Sequence, residues 1–262
     1  MLLNVLCIGD VVGETAISEL FKRLPEFKKK NNIGFCIVNG ENSYKGNGIS
    51  RRCAEDLFSI GADVITGGNH SFKYKDSFTL YDDNPQFLRP HNIDFEYGSG
   101  YCLVDMGYTY IGVINLMGCV YAKENVKNPF SVVDILIADL RSRGAGPVFL
   151  DFHCDATSEK KAMGYYLDGK ITAVFGTHTH VATADLTVLP GGTGYITDIG
   201  MTGPCVSVLG VNKDIIINRF KNGSQEYFAV ADTPIKINGV IFTVDTKTNK
   251  TVNVKQILDF ES

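Results

Sequence analysis

Five short apolar runs, each ending in a cluster of Asp, Glu, Asn or His, constrain this chain more than any other feature. Leu3 to Ile8 leads into Gly9-Asp10, Phe35 to Val38 into Gly40-Glu41-Asn42, and Asp63 to Thr66 into Gly68-Asn69-His70. Val148 to Leu150 leads into Asp151-Phe152-His153, and Ile171 to Phe175 into Gly176-Thr177-His178-Thr179-His180. Runs this short, bounded by such polar residues, read as strands. Helical periods fill the gaps. Glu14 to Lys30 repeats apolar residues at Ile17, Leu20, Phe21, Leu24 and Phe27, and gathers basic residues at the end where the helix dipole favours them. Ser50 is placed to cap a helix through Ile60, and Lys73 to Tyr81 is a weaker helical stretch before the Arg89-Pro90 break. Pro129 to Arg143 carries proline near its first turn, and Thr157 to Leu167 has Thr157 or Ser158 as its cap candidate.

The remainder reads as strand. Tyr101 to Asp105 and Tyr108 to Asn115 form a hairpin turning at Met106-Gly107. After Tyr195 the pattern predicts strands at Ile215 to Phe220, Tyr227 to Ala231, Pro234 to Asp245 and Thr251 to Leu258. Turn signals at Asn222-Gly223, Asn238-Gly239 and Thr248-Asn249 separate them. βα units followed by a strand meander predict two sheets packed face to face with helices outside. No repeat or linker divides the chain, so one domain is expected over residues 1–262.

Composition narrows the class. Of 262 residues, 44% are hydrophobic and 21% charged, which suits a soluble protein with a real core. The formal charge of -4 provides no general attraction to nucleic acid or an anionic membrane, so a phosphate must be held locally. Seven cysteines stand singly, an odd number with no C-x-x-C pair, as expected in a reducing cytosol. Met1 to Ile8 is too short for a signal peptide, and no segment reaches membrane-spanning length. A cytoplasmic enzyme is expected.

The strand-end residues suit a site for two oxygen- and nitrogen-loving cations, although each alone also has a capping, turn or solvent reading. Residues i and i+2 of an extended segment point the same way, so His178 and His180 can face one ion or two adjacent ones. Asp10 ends its strand either as a helix cap or as a ligand. Glu41 can bridge two cations with its two oxygens, which neither Asn nor His can do. Asn69 offers an amide oxygen, while His70, diverging from it in a turn, is free to move protons. His153 is the ligand of its pair, and Asp151 can orient a neighbouring ligand. His91 is expected at the surface or as a cap. Cys154 and Cys119 are expected to be structural, and Gly191-Gly192-Thr193-Gly194 to be a tight loop without the lysine of a phosphate loop.

In this order the clusters resemble the calcineurin-like metallophosphoesterases, and more closely the YmdB family within them. The resemblance covers nearly the whole chain. Its stretches stand as Ile8-Gly-Asp-Val-Val-Gly13, Asn39-Gly-Glu-Asn-Ser43, Gly68-Asn-His70, Asn115-Leu-Met-Gly118, Asp151-Phe-His153, Ala156-Thr-Ser-Glu-Lys160, Gly176-Thr-His-Thr-His-Val181 and Thr197-Asp-Ile-Gly-Met-Thr-Gly-Pro204. The usual Asp-x-His of the first strand is Asp10-Val11-Val12 here, with Asn42 in place of the missing His, and the usual bridging Asp is Glu41. Both departures are those of the YmdB group. Phe72, His91 and Asp155 are smaller departures.

The resemblance implies an α/β fold, a four-layer α/β/β/α sandwich with two mixed sheets. It also implies two divalent or mixed-valence metal ions, iron or manganese. One ion would lie on Asp10, Glu41, Asn42 and His180, the other on Glu41, Asn69, His153 and His178. The implied reaction is hydrolysis of a small phosphodiester, a 2′,3′ or 3′,5′ cyclic nucleotide, by a metal-bridging hydroxide, with His70 as proton donor. A homo-oligomer is compatible with this. The rival expectations are a phosphomonoesterase with the same centre and a regulatory protein acting through a partner. An amidohydrolase barrel also uses H-x-H, but on its first strand.

Overall fold

The computed structural model describes residues 1–122 and 125–259. The first strand, β1 (Leu2–Ile8), shows how the layers arise. Leu3, Val5 and Cys7 point into one buried cluster, and Leu6 and Ile8 into another, so the strand is covered on both faces. The chain continues through β2 (Asp10–Val11), α1 (Glu14–Lys30), β3 (Ile33–Asn39), α2 (Arg51–Ser59) and β4 (Val64–Thr66). A 3-10 turn, Lys75–Ser77, precedes α3 (Phe78–Asp83). Next come β5 (Tyr101–Asp105), β6 (Tyr110–Met117), α4 (Pro129–Ser142), β7 (Ala145–His153), α5 (Thr157–Tyr166) and β8 (Ala173–Thr177). The last third holds β9 (Thr187–Val188), β10 (Gly194–Ile196), β11 (Met201–Pro204), α6 (Lys213–Asn222), β12 (Ile235–Lys236), β13 (Gly239–Asp245) and β14 (Lys250–Ile257).

Among the described residues, two mixed sheets stand face to face, ordered β14-β13-β1-β3-β4 and β5-β6-β7-β8-β10-β9. The cluster between them includes Val5, Phe35, Phe149, Phe175 and Phe242. Leu20 and Leu24 of α1 and Leu57 of α2 cover the first sheet, and Val133 and Leu136 of α4 and Met163 of α5 cover the second. This is the four-layer α/β/β/α arrangement. A ribbon of β12, β11 and β2 is added to the expected pair of sheets. Strands β1, β3 and β4 run parallel, as do β7 and β8, and the residues that follow these strands share one rim.

Several sequence expectations are corrected. Ile215 to Phe220 is helix, not strand. Asn212 caps α6 by accepting the Asp214 N–H at 2.9 Å, and Gly223 ends it at φ 70°. The Asn222-Gly223 pair is therefore a left-handed helix terminus rather than a hairpin turn. Only Ile216 of α6 is buried, so these caps, not a core contact of the other isoleucines, decide the local form. Tyr227 to Ala231 forms no strand beyond a single bridge from Val230 to Val211. Pro234 to Asp245 divides at Asn238-Gly239 between the ribbon and the first sheet, where a Cβ on Gly239 would lie 2.4 Å from the Cys7 carbonyl. The hairpin turn spans residues 106–109, so β6 begins at Tyr110. Neither Thr157 nor Ser158 caps α5: Ala156 holds that position. All seven cysteines are free thiols.

Candidate metal centre

Each strand-end cluster reaches the rim by a tight local device. Gly9 passes so close to Gly200 that a Cβ would lie 1.9 Å from its carbonyl oxygen, and this seats Asp10 in β2, fully buried. Asp10 does not cap α1, whose N-cap is Gly13 without a side-chain bond. Its Oδ2 accepts the His178 N–H at 3.2 Å. Its Oδ1 is buried without a hydrogen-bond partner, 3.8 Å from His180 Nε2 and 4.0 Å from His153 Nδ1. Glu41, 1% exposed, accepts the Asn42 amide on Oε1 at 2.8 Å and the His70 N–H on Oε2 at 3.1 Å.

The imidazoles complete the convergence. His153 ends β7 with Asp151 on the same face, as the extended spacing predicts. Asp151 accepts the Thr177 hydroxyl at 2.7 Å, and that hydroxyl faces His153 Nδ1 at 2.9 Å. The hydroxyl can give only one proton, so Nδ1 carries a ring hydrogen, and the neutral ring that a cation requires would present its lone pair at Nε2. That nitrogen lies 3.1 Å from Asn69 Oδ1, 3.0 Å from His178 Nδ1 and 3.4 Å from Glu41 Oε1. His180 Nδ1 faces the Leu209 carbonyl at 3.0 Å, which turns Nε2 toward Asp10 and Asn42.

The H-x-H pair does not use the extended geometry expected of it. His178 stands at φ 98° and His180 at φ 64°. A left-handed residue without glycine costs about 1–3 kcal/mol and persists only where its surroundings hold it. Asp198 and Lys160 supply that hold. Asp198 accepts the Thr179 N–H at 3.0 Å and its hydroxyl at 2.8 Å, while Lys160 donates to Asp198 and to the Thr177 carbonyl, each at 2.7 Å. Asn115 clamps the Gly67 peptide, accepting its N–H at 2.9 Å and donating to its carbonyl at 3.1 Å. Sequence reasoning gave Asn115 and Asp198 no role. A polar residue inside or just after an apolar run was the available signal, because such groups are buried only with partners.

The seven predicted residues, Asp10, Glu41, Asn42, Asn69, His153, His178 and His180, lie in one region, although Asn42 turns its Nδ2 rather than its oxygen toward Glu41 and His180. The donor atoms of Glu41, His153 and His178 lie within 4.8 Å of one another. His153 Nε2 has its neighbours at 3.0–3.4 Å, close enough for bonds of about 2.0–2.2 Å to meet at one ion, and Asp10 Oδ1 lies farther out at 3.8 and 4.0 Å. Burial opposes charge on His153, but Glu41, Asp10 and Asp151 outweigh it and raise the ring to about 9. A cation would answer the same negative field. Burial and the His153 charge push His178 down to about 3, which leaves it a neutral donor. Burial would raise Glu41, but His153 and His70 bring it well below the usual carboxylate range. The donor set and the orphaned Asp10 oxygen fit a cation.

His70 stands at the edge. Its Nδ1 meets Asn42 Oδ1 at 2.8 Å, and its ring borders an open groove, so it diverges from Asn69 as expected. His91 lies outside the centre, half-buried and edge-on to Tyr101 with ring centroids 5.4 Å apart. Cys154 donates to Glu159 at 3.2 Å, and burial raises its thiol pKa, so it offers no thiolate to the centre. Gly192, at φ 97°, forms the expected tight loop.

A family model described as YmdB-like protein matches residues 6–257. The chain is 41% identical over 257 residues to a Bacillus subtilis (strain 168) protein named 2′,3′-cyclic-nucleotide 2′-phosphodiesterase, covering 98% of this chain and 97% of the relative. Its fold is similar to the crystal structure of a novel phosphatase from Mycoplasma pneumoniae, with TM-score 0.92, 35% identity and coverage of 98% and 93%. A hypothetical protein from Thermus thermophilus is similar at TM-score 0.89, with 32% identity and coverage of 97% and 98%.

Proposed function

This chain belongs to the YmdB-like family and is a phosphoric ester hydrolase, and from that premise we propose a dinuclear-metal phosphodiesterase acting on 2′,3′ or 3′,5′ cyclic nucleotides. The carrying observation is the buried Asp10 oxygen that no protein donor reaches, set 3.8 Å from His180 and 4.0 Å from His153 beside the Glu41, His153 and His178 cluster. Asp10, Glu41, Asn42 and His180 would hold one ion. Glu41, Asn69, His153 and His178 would hold the other, with Glu41 shared. The iron or manganese assignment comes from the family resemblance; oxygen and nitrogen donors without a thiolate are compatible with it. When bound, such a pair lowers the pKa of water and neutralises phosphoryl oxygens.

The chain's own part centres on Asn42 and His70. The Asn42 amide now directs Nδ2 to Glu41 and His180, and Oδ1 to His70. The Asn42 oxygen accepts from His70 Nδ1–H at 2.8 Å, so the protonated ring would give its Nε2 proton to the departing alkoxide and remain as the neutral Nδ1–H form. The Asp151–Thr177 chain keeps His153 in the tautomer that a ligand needs.

The deciding experiment counts metals per chain after chelator-free purification and screens mono-, di- and cyclic phosphates. His70→Ala should keep its metals and lose about 10²–10⁴ in turnover on cyclic nucleotides, and far less on a p-nitrophenyl diester whose leaving group needs no proton. Full activity of His70→Ala on cyclic nucleotides refutes the donor role. Release from monoesters alone would favour the phosphomonoesterase reading.

A further inference from the structure

The centre opens on two sides. One cavity, of about 440 Å³, reaches His70 and His180 and is walled by Tyr74, Leu209, Phe228 and Val230. A second, of about 230 Å³, reaches Asn69 and His153 and is walled by Met117, Val120 and Tyr121. His178 borders both.

Both walls are built in. In the larger cavity, Leu209 accepts from His180, and the segment carrying Val230 is tied to the 209–211 turn by Asn212 N–H to Ala229 and Ala231 N–H to Gly210, each at 2.9 Å. In the smaller one, Gly118 N–H donates to the His153 carbonyl at 3.0 Å. The Glu159 carboxylate accepts the N–H groups of Cys119 at 2.9 Å and Val120 at 3.0 Å.

A cyclic phosphate or a monoester carries one organic arm and occupies one side of such a centre. A linear diester carries two, with phosphorus between them. We infer that the site takes linear diesters with a ring-bearing group on each side, specifically a dinucleoside phosphate, in addition to any cyclic nucleotide. This rests on the phosphodiesterase reading above. The larger cavity lies in the usual range of about 300–1,000 Å³ for small-molecule sites, and the smaller is suited to one flat ring. Tyr74, Phe228 and Tyr121 offer aromatic faces on which bases stack. The net charge of -4 provides no attraction for a long polyanion, which favours a short diester. Water adds across one P–O bond, releasing a nucleoside and a nucleoside monophosphate.

The test compares kcat/KM for adenylyl-adenosine, adenosine 3′-methyl phosphate and 2′,3′-cyclic AMP. Calorimetry measures binding of a dinucleoside phosphonate whose leaving oxygen is replaced by carbon. The dinucleoside should exceed the methyl ester by at least about tenfold, the scale of one stacked base. Val120→Trp, at a 40% exposed rim position, should remove that advantage and weaken phosphonate binding by at least about tenfold more than it lowers cyclic AMP hydrolysis. No advantage of the second nucleoside in the wild type overturns the inference, and so does an equal effect of Val120→Trp on both substrates. The wild-type comparison stands even if the variant misfolds. Cleavage of monoesters alone would defeat the phosphodiesterase reading, and phosphonate binding would then still decide whether two arms are held.

Discussion

Replacing Lys160 by Met removes the cation beneath the H-x-H turn while keeping most of the side chain's volume. Lys160 is 1% exposed and Asp198 is 0% exposed, and they meet at 2.7 Å. Without Lys160, Asp198 keeps its bonds from Thr179 and Gly200 but becomes an uncompensated buried charge. Breaking one partner of a buried pair costs roughly 3–5 kcal/mol. The Thr177 carbonyl also loses its 2.7 Å donor, worth about another 1 kcal/mol. The left-handed His178 and His180 then lose part of the frame that holds them, so metal content should fall along with stability. Urea unfolding of Lys160→Met, Asp198→Asn and the double variant measures the pair as a cycle, with metals per chain counted in each. The double variant should cost less than the sum of the singles by several kcal/mol. Additivity within about 0.5 kcal/mol, or full metal content in the single variants, refutes the reasoning.

Two further outcomes follow from particular contacts. Gly68→Ala places a Cβ 2.1 Å from Glu41 Oε2 and 2.4 Å from His153 Nε2, so the purified variant should keep its circular dichroism yet lose bound metal. Retention of both would show that the loop yields. Burial would raise the Asp185 pKa, but the Thr197 and Thr183 hydroxyls and Lys161 lower it from 3.8 to about 2. A lowered carboxylate pKa stabilises the fold above the unfolded value, and the contribution is lost as pH falls through the folded one. The shift amounts to about 2 kcal/mol, trimmed to about 1–2 by solvent screening, with roughly half remaining at pH 3. Urea midpoints of wild type and Asp185→Asn should therefore differ most near pH 7 and converge toward pH 2, and a gap independent of pH counts against this.

The sequence by itself determined which side chains would meet. Five of the seven donors follow an apolar run by two or three residues, and a parallel strand must deliver its end to the rim, so Asp10, Glu41, Asn69, His153 and His178 could be placed together without coordinates. It also held the caps of α6 in Asn212 and Gly223, although three consecutive isoleucines pointed to a strand. Local β-propensity is weak evidence where no partner strand is available to bury it. What only the tertiary structure decided is how the donors are held. The H-x-H turn bends through left-handed residues because Asp198, Lys160 and the Leu209 carbonyl anchor it from distant parts of the chain. The two cavities arise where the 118–121 loop and the segments flanking α6, around residues 209–211 and 228–230, far apart in sequence, close on one centre. Such contacts depend on the packing of whole layers, and no periodicity along the chain records them.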